Sequence, residues 1–375
     1  MSRAAVLVTG ATGFVGREIV RRLLATDRAV VALARSRDGL AAEDRVAATT
    51  GVAPDGRRLA VMVGDFRDMA GSMRAGDLAC LRTTVDTVVH CAGDTTFFPA
   101  AFGPFRAGHV EGPRTLLERL ADGQLRRWVQ VSTAYVCGKR TGRVLEAEGD
   151  IGQEFHNPYE RTKLDAEEAL RVAGATRGVE VCVVRPSIIV GPAPETAGGA
   201  PASLVFDFIR LVASLARLAV GAGRPLRIAA RPRARFNIVP IDYVATAIAA
   251  LAEDLDGASG TFHLVVAAAP TQDAMLAMIA SGLGIGGLRL VDNGDAMLAD
   301  ASPLERRLAR RLAPYREYLE QDVSFDDTRA RSVLGGRGVP PPTLDAVAVD
   351  RMLDWALASD DRGLARRQAA LAGVR

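Results

Sequence analysis

The stretch Val6-Leu7-Val8-Thr9-Gly10-Ala11-Thr12-Gly13-Phe14-Val15-Gly16 decides the fold. The apolar run from Ala4 to Val8 reads as a buried parallel strand. Three glycines follow at a spacing of three. From Phe14 to Leu24 the apolar residues Val15, Ile19, Val20, Leu23 and Leu24 recur at helical intervals. Strand, glycine turn and helix in that order make a cradle for a pyrophosphate. Glycines let the backbone turn tightly and approach the anion, while first-turn N–H groups and the helix dipole face it. Gly10, Thr12, Gly13, Phe14, Val15 and Gly16 are therefore the first candidate ligand contacts.

Composition sets the outer limits. A chain of 375 residues, 49% of them hydrophobic, can build one large α/β domain or two sharing a core. The 47 Lys and Arg nearly balance the 44 Asp and Glu, so a net charge of +3 gives no argument for nucleic-acid binding. No uncharged run is long enough to span a membrane. Arg3 is followed at once by the first strand, which is not a signal-peptide layout, and a cytoplasmic location is expected. Cys80, Cys91, Cys137 and Cys182 include no C-x-x-C pair and point to free thiols, with no metal site.

Ala29 to Ala34 reads as a second strand ending in Arg35-Ser36-Arg37. At this place an acidic residue accepts from a ribose 2′-hydroxyl, whereas an arginine pairs with a 2′-phosphate. Arg35 therefore favours NADP, with NAD as the alternative. Leu59 to Val63 is a third strand, ahead of Gly64-Asp65-Phe66. Thr87 to His90 is a fourth, and the small residues Cys91, Ala92 and Gly93 after it let a dinucleotide lie across the sheet edge. His90 itself reads as a packed side chain. A helix is expected from Phe105 to Ala121, then a fifth strand from Trp128 to Val131 that delivers Ser132-Thr133-Ala134-Tyr135-Val136. A polar loop from Gly138 leads to Asn157-Pro158-Tyr159 and a helix to about Val172. Val179 to Val184 is a sixth strand, closed by Arg185-Pro186-Ser187-Ile188.

Tyr159 and Lys163 stand four apart on that helix, so both side chains leave one face. A free tyrosine hydroxyl, with a pKa of about 10, exchanges protons poorly at neutral pH. A lysine ammonium beside it, with an oxidised nicotinamide, favours the phenolate and brings it toward the working range.

Taken in order, these motifs resemble the extended branch of the short-chain dehydrogenase/reductase superfamily. The resemblance rests on Thr9 before the glycine turn, the Ser132-Thr133 pair and the Tyr159-x-x-x-Lys163 pair. The segments from His90 to Phe97 and from Ser132 to Val136 are most similar to the fatty acyl-CoA reductase and thioester-reductase subgroup. It covers most of residues 4–270. It implies a Rossmann-type doubly wound parallel sheet with helices on both faces, and a nicotinamide-dependent reductase. It also implies site roles: Thr133 in place of the usual catalytic Ser, Lys163 on the nicotinamide ribose, Asp65 and Phe66 by the adenine, Pro186 and Ile188 beside the nicotinamide. Relatives usually carry Asn where His109 stands and Thr where Pro113 stands, which leaves the local helix geometry and any proton relay there open.

The second half sets the substrate. Residues 1–190 are expected to form the dinucleotide-binding domain, with 236–266 returning to it and 191–375 forming a smaller α/β substrate lobe. A Pro/Gly/Ala loop over 191–201 precedes an apolar helix from Ser203 to Val220, interrupted by Asp207, Arg210 and Arg217. This helix reads as core or pocket wall, with a homodimer face or peripheral membrane contact as alternatives. Among Arg224, Arg227, Arg231, Arg233 and Arg235, one or two suit the phosphate of a coenzyme A or carrier-protein thioester, or else form a solvated rim. Asp242 is expected to cap a helix, and charged and final helices are expected over Glu305 to Glu320 and Leu344 to Ala358. The leading expectation is reduction of a bulky apolar acyl thioester, with a ketone close behind. Nucleotide-sugar epimerisation or dehydration, and a non-catalytic cofactor-binding regulator, are the competing readings.

Overall fold

The computed structural model describes residues 4–357 apart from 69–71, 98, 193–203, 220–224, 254–258 and 293. The strands are, in chain order, β1 (Ala5–Thr9), β2 (Val30–Ala34), β3 (Leu59–Val63), β4 (Val85–His90), β5 (Arg127–Val131), β6 (Gly142–Val144), β7 (Glu180–Pro186), β8 (Ile188–Val190), β9 (Leu226–Ala229), β10 (Ile238–Pro240), β11 (Gly260–Leu264), β12 (Leu288–Val291) and β13 (Val323–Phe325). Seven of them form one parallel sheet in the order β11-β7-β5-β4-β1-β2-β3. The other six pair off, β10 with β8, β12 with β9 and β13 with β6.

Every residue of β1, β4 and β5 is buried. Strands buried along their whole length belong to a sheet covered on both faces. On one face Ile19, Val20 and Leu23 of helix Phe14–Leu24 pack with Val244 and Ile248 of helix Ile241–Glu253. On the other, Leu116, Leu117, Leu120 and Leu170 close around Trp128. The chain winds from β1 out to β3, then crosses back to lay β4 on the other side of β1. That reversal opens a crevice at the carboxyl ends of β1 and β4. The doubly wound sheet expected from the motifs is thus the observed one.

In the second half, helix Leu204–Ala219 buries Val205, Phe206 and Ile209 against Met275, Ile279, Met352 and Leu353. Its apolar face is therefore core, as the first of the three readings has it. No helix among the described residues is long and apolar enough to cross a membrane. All four cysteines are free.

Several elements differ from expectation. The helix from Phe105 to Ala121 is three pieces: Phe102–Arg106, a π-turn Ala107–Glu111, and Gly112–Leu120. Pro113 has no N–H to return to His109, and the Gly112 N–H bonds the Ala107 carbonyl instead. The Tyr159 helix runs beyond Val172, over Pro158–Arg177, until Gly178 closes it in a left-handed conformation. Pro314 divides the charged helix into Pro303–Leu312, a 3₁₀ turn Ala313–Tyr315, and Arg316–Glu320. Asp242 is not a cap but the second residue of its helix. The polar loop after Gly138 contains β6, whose partner β13 lies far along the chain. The 191–201 loop, Arg224 and the tail after Leu357 fall largely or wholly outside the described residues.

One buried ion pair carries a stability test. The Arg28 guanidinium is fully buried and bonds Asp86 beneath the sheet edge, with Thr87 donating to the same carboxylate at 2.8 Å. Asp86→Ala leaves that cation uncompensated. We expect a loss of about 3–5 kcal/mol, read as a lower denaturant midpoint at unchanged slope.

Candidate active site

The glycine turn takes its shape from the strand beside it. Gly10 sits at φ +72°, and a Cβ there would lie 2.7 Å from the Ala92 nitrogen. A Cβ on Gly16 would lie 2.1 Å from the Gly10 carbonyl oxygen. Neither position tolerates a side chain, so the turn lies flat against the end of β4. The helix that follows has Gly13 as its N-cap, no side-chain cap and no acidic residue in its first turn. Its first N–H groups therefore carry uncompensated positive potential at the turn.

The crevice encloses about 680 Å³. Gly10, Thr12, Arg35, Asp65, Phe66, Ala92 and Gly93 line it, as do Arg45 and Arg67. Arg45 donates to Thr12 Oγ1 at 3.4 Å and to the Arg35 carbonyl. Arg35 pairs with Asp65 at 3.2 Å, and Arg67 with the same carboxylate at 2.5 Å. The Arg67 hydrogen bond, with help from Arg35, holds Asp65 below the usual carboxylate range. Asp65 is thus spent on Arg35 and Arg67, and with Arg45 and Asp94 also in the lining, three guanidiniums against two carboxylates leave the crevice net positive. Glycine contact, uncapped helix and positive rim fit a phosphate-bearing dinucleotide.

Beyond the crevice, β5 delivers Ser132 and Thr133. Ser132 Oγ donates to Glu167 Oε1 at 2.5 Å, and Arg185 clamps that carboxylate through Nε at 3.0 Å and Nη2 at 2.7 Å. Ser132 is committed to the interior. Thr133 Oγ1 accepts only the Tyr135 N–H, at 3.2 Å, among the described contacts. The Tyr159 helix begins on Asn157, whose side chain accepts the Glu160 N–H at 3.1 Å, with Pro158 at its first position. One turn on, Lys163 Nζ donates to the Val131 carbonyl at 3.0 Å and lies 5.7 Å from the Tyr159 ring centroid. That bond pins the helix to the residue just before Ser132-Thr133.

Electrostatics here run against the expected lysine-driven fall in the Tyr159 pKa. Burial pushes the phenol up, and Cys91 and Glu160 add to the rise. Burial likewise lowers Lys163, against the opposing pull of Cys91 and Glu167. The ammonium is engaged by a carbonyl, and desolvation of the phenol outweighs it. The Cys91 thiol is pushed up to about 11 by burial and is a poor nucleophile.

Aromatic rings wall the space around Tyr159. Phe97 lies 6.2 Å from Tyr159, 6.1 Å from Tyr315 and 5.7 Å from Tyr318, centroid to centroid. Tyr318 comes from the second half of the chain. Its hydroxyl donates to Glu160 and accepts from Asn157 Nδ2 at 2.6 Å. Three residues on, Gln321 Nε2 donates to the Gly138 and Arg140 carbonyls, each at 2.7 Å.

His90 is packed as expected, bonded to Thr9 Oγ1 at 2.9 Å and stacked on Trp128. Gly13, Phe14, Val15, Gly16, Cys91, Pro186 and Ile188 do not line the crevice. Phe14 instead reaches toward Gly191, the residue after β8. Arg227 is paired with Glu305 and Asp300, and Arg235 donates to the Ala269 carbonyl, so these two are not free for a substrate phosphate. Sequence reading missed Arg45, Arg67 and the ring wall. Arg45 sits inside a helix and Tyr318 far down the chain, and only the fold brings them here.

A family model described as Male sterility protein, an NAD-binding domain, matches residues 8–248. Carboxylic acid reductase of Mycobacterium marinum is 27% identical over 290 residues, 69% of this chain and 24% of that protein, so the chain spans about a quarter of this relative's length. Sterol demethylase protein B of Methylococcus capsulatus is 28% identical over 349 residues, 88% of this chain and 92% of that protein. The terminal R domain of the myxalamid PKS-NRPS pathway shares the fold, with a TM-score of 0.75 at 22% identity over 96% of this chain and 91% of that one. The chain belongs to the Male sterility protein family of NAD-binding domains.

Proposed function

We propose that this protein is an NADPH-dependent reductase of a bulky apolar carbonyl compound, with an acyl thioester as the first candidate. The observation that supports the reading is Lys163, 5.7 Å from the Tyr159 ring, bonded to the Val131 carbonyl two residues before Thr133, with Ser132 withdrawn into the Glu167–Arg185 clamp. Bound NADPH supplies the hydride. Thr133 and Tyr159 hydrogen-bond the carbonyl oxygen and stabilise the oxyanion that develops. Tyr159 then gives that oxygen its proton. Lys163 holds positive charge beside the phenol and orients the ribose. On a thioester the product is a hemithioacetal, which breaks its C–S bond to release an aldehyde and a thiol. The Arg35, Arg45 and Arg67 rim supports NADPH over NADH. The match to a protein named carboxylic acid reductase supports reduction of an acyl group.

A flat polycyclic ketone is the second reading. The rings of Phe97, Tyr315 and Tyr318 suit a planar apolar face, and the near full-length match to a protein named for sterol demethylation points the same way. Free thiol and aldehyde released in step with NADPH oxidation support the thioester. NADPH oxidation without either product rules it out.

Tyr159→Phe should lower kcat about a hundredfold or more, with the NADPH Kd, measured by fluorescence titration, unchanged. A burial-raised phenol also fixes the direction of the pH profile. Reduction needs the protonated form, so its kcat should stay flat from roughly pH 6 to 9. The reverse oxidation needs the phenolate and should rise with pH throughout. Arg35→Asp should weaken NADPH by about tenfold or more and leave NADH nearly unchanged, as read by the two dissociation constants.

A further inference from the structure

We propose that His109, in its neutral form, is a positioning residue that ties crevice loop 92–94 to the helix carrying Tyr159. The proposal rests on the reading of Tyr159 as proton donor beside a dinucleotide. His109 is 4% exposed and sits in the π-turn that Pro113 enforces. Its Nε2 accepts the Asp94 N–H at 3.0 Å, so that nitrogen carries a lone pair. The ring hydrogen is then on Nδ1, which donates to Thr162 Oγ1 at 3.1 Å. Thr162 passes its own hydrogen to the Tyr159 carbonyl at 3.1 Å. One directed chain of hydrogen bonds thus runs from the loop to the Tyr159 backbone. Gly93 lies in its grip, since a Cβ there would lie 3.2 Å from His109 Nε2 and 3.3 Å from Lys163 Nζ.

The charged and titratable groups facing the ring are Lys163 and Tyr159 on the helix, Asp94 on the loop, His90 at the end of β4, and Arg67 over the neighbouring Gly108. Burial first, then Lys163, pushes His109 down to about 4, against Asp94. Protonation would put a second donor opposite the Asp94 N–H and release the loop. A histidine whose folded value lies below the free one contributes stability above about pH 6.5. That contribution is lost as pH falls toward the folded value.

Two variants test this. His109→Leu removes both bonds. His109→Asn keeps an acceptor for Asp94 and a donor for Thr162, and does not titrate. We expect His109→Leu to raise the NADPH Kd about tenfold and to lower kcat, with His109→Asn restoring both to within about threefold of the parent. We further expect the fall in kcat/KM as pH drops toward about 4 to be reduced in His109→Asn. A parental Kd in His109→Leu, a His109→Asn no better than His109→Leu, or an unchanged acid limb in His109→Asn overturns the proposal. Should His109→Leu not fold, the Kd and acid limb of His109→Asn decide. Cofactor binding is read without turnover. Full activity in Tyr159→Phe would therefore sink the functional reading separately from this one.

Discussion

The approach of the Gly10 turn to Ala92 is the constraint on which the rest of the molecule depends. Two backbone segments from neighbouring strands meet where no Cβ can stand. This contact is available only if β4 lies directly beside β1, and the strand order puts it there. The crossover from β3 back to β4 separates the helices after the two strands and leaves a crevice between them. The turn then leads into a helix start that no side chain caps. Sheet topology, glycine positions and ligand chemistry are one arrangement seen at three scales.

Around Tyr159 the protein uses burial more than charge to set protonation. Tyr159, Cys91, Lys163 and His109 are all shifted toward their neutral forms, with desolvation the largest cause each time. A site of this kind holds protons on oxygen and sulfur and leaves imidazole neutral. It suits a reductive reaction, in which the oxygen of the product must gain a hydrogen. The fully ionic contacts sit elsewhere, in the Glu167–Arg185 clamp beneath Ser132 and the arginine rim by Asp65.

Much of the first half was legible in the sequence, because its signals are local. A continuous apolar run, a glycine turn and a 3.6-residue period mark β1 and the helix after it without help from distant residues. Leu59–Val63 was placed to the residue for the same reason. At Pro113 a departure was visible in the sequence but its form was not, and the break at Pro314 was missed, since Glu305 to Glu320 reads as one helix. What sequence could not reveal depends on contacts between distant segments. The pairing of β6 with β13, the Arg45 bond to Thr12 and the Tyr318 bond to Glu160 each need the fold to exist first. The pKa of Tyr159 is of this type too, since helical spacing predicts a neighbouring lysine and says nothing of desolvation.

The Tyr318 and Gln321 contacts have a consequence for how far the two halves of the chain can change independently. Residues from the second half of the chain reach back and hold the start of the Tyr159 helix and the loop after Cys137. Substrate range cannot be changed there by free exchange of parts. A chimera that brings in a foreign C-terminal half must also bring a hydroxyl for Glu160 and an amide for the Gly138 and Arg140 carbonyls. Without them the recipient would inherit a new pocket and a misaligned catalyst together.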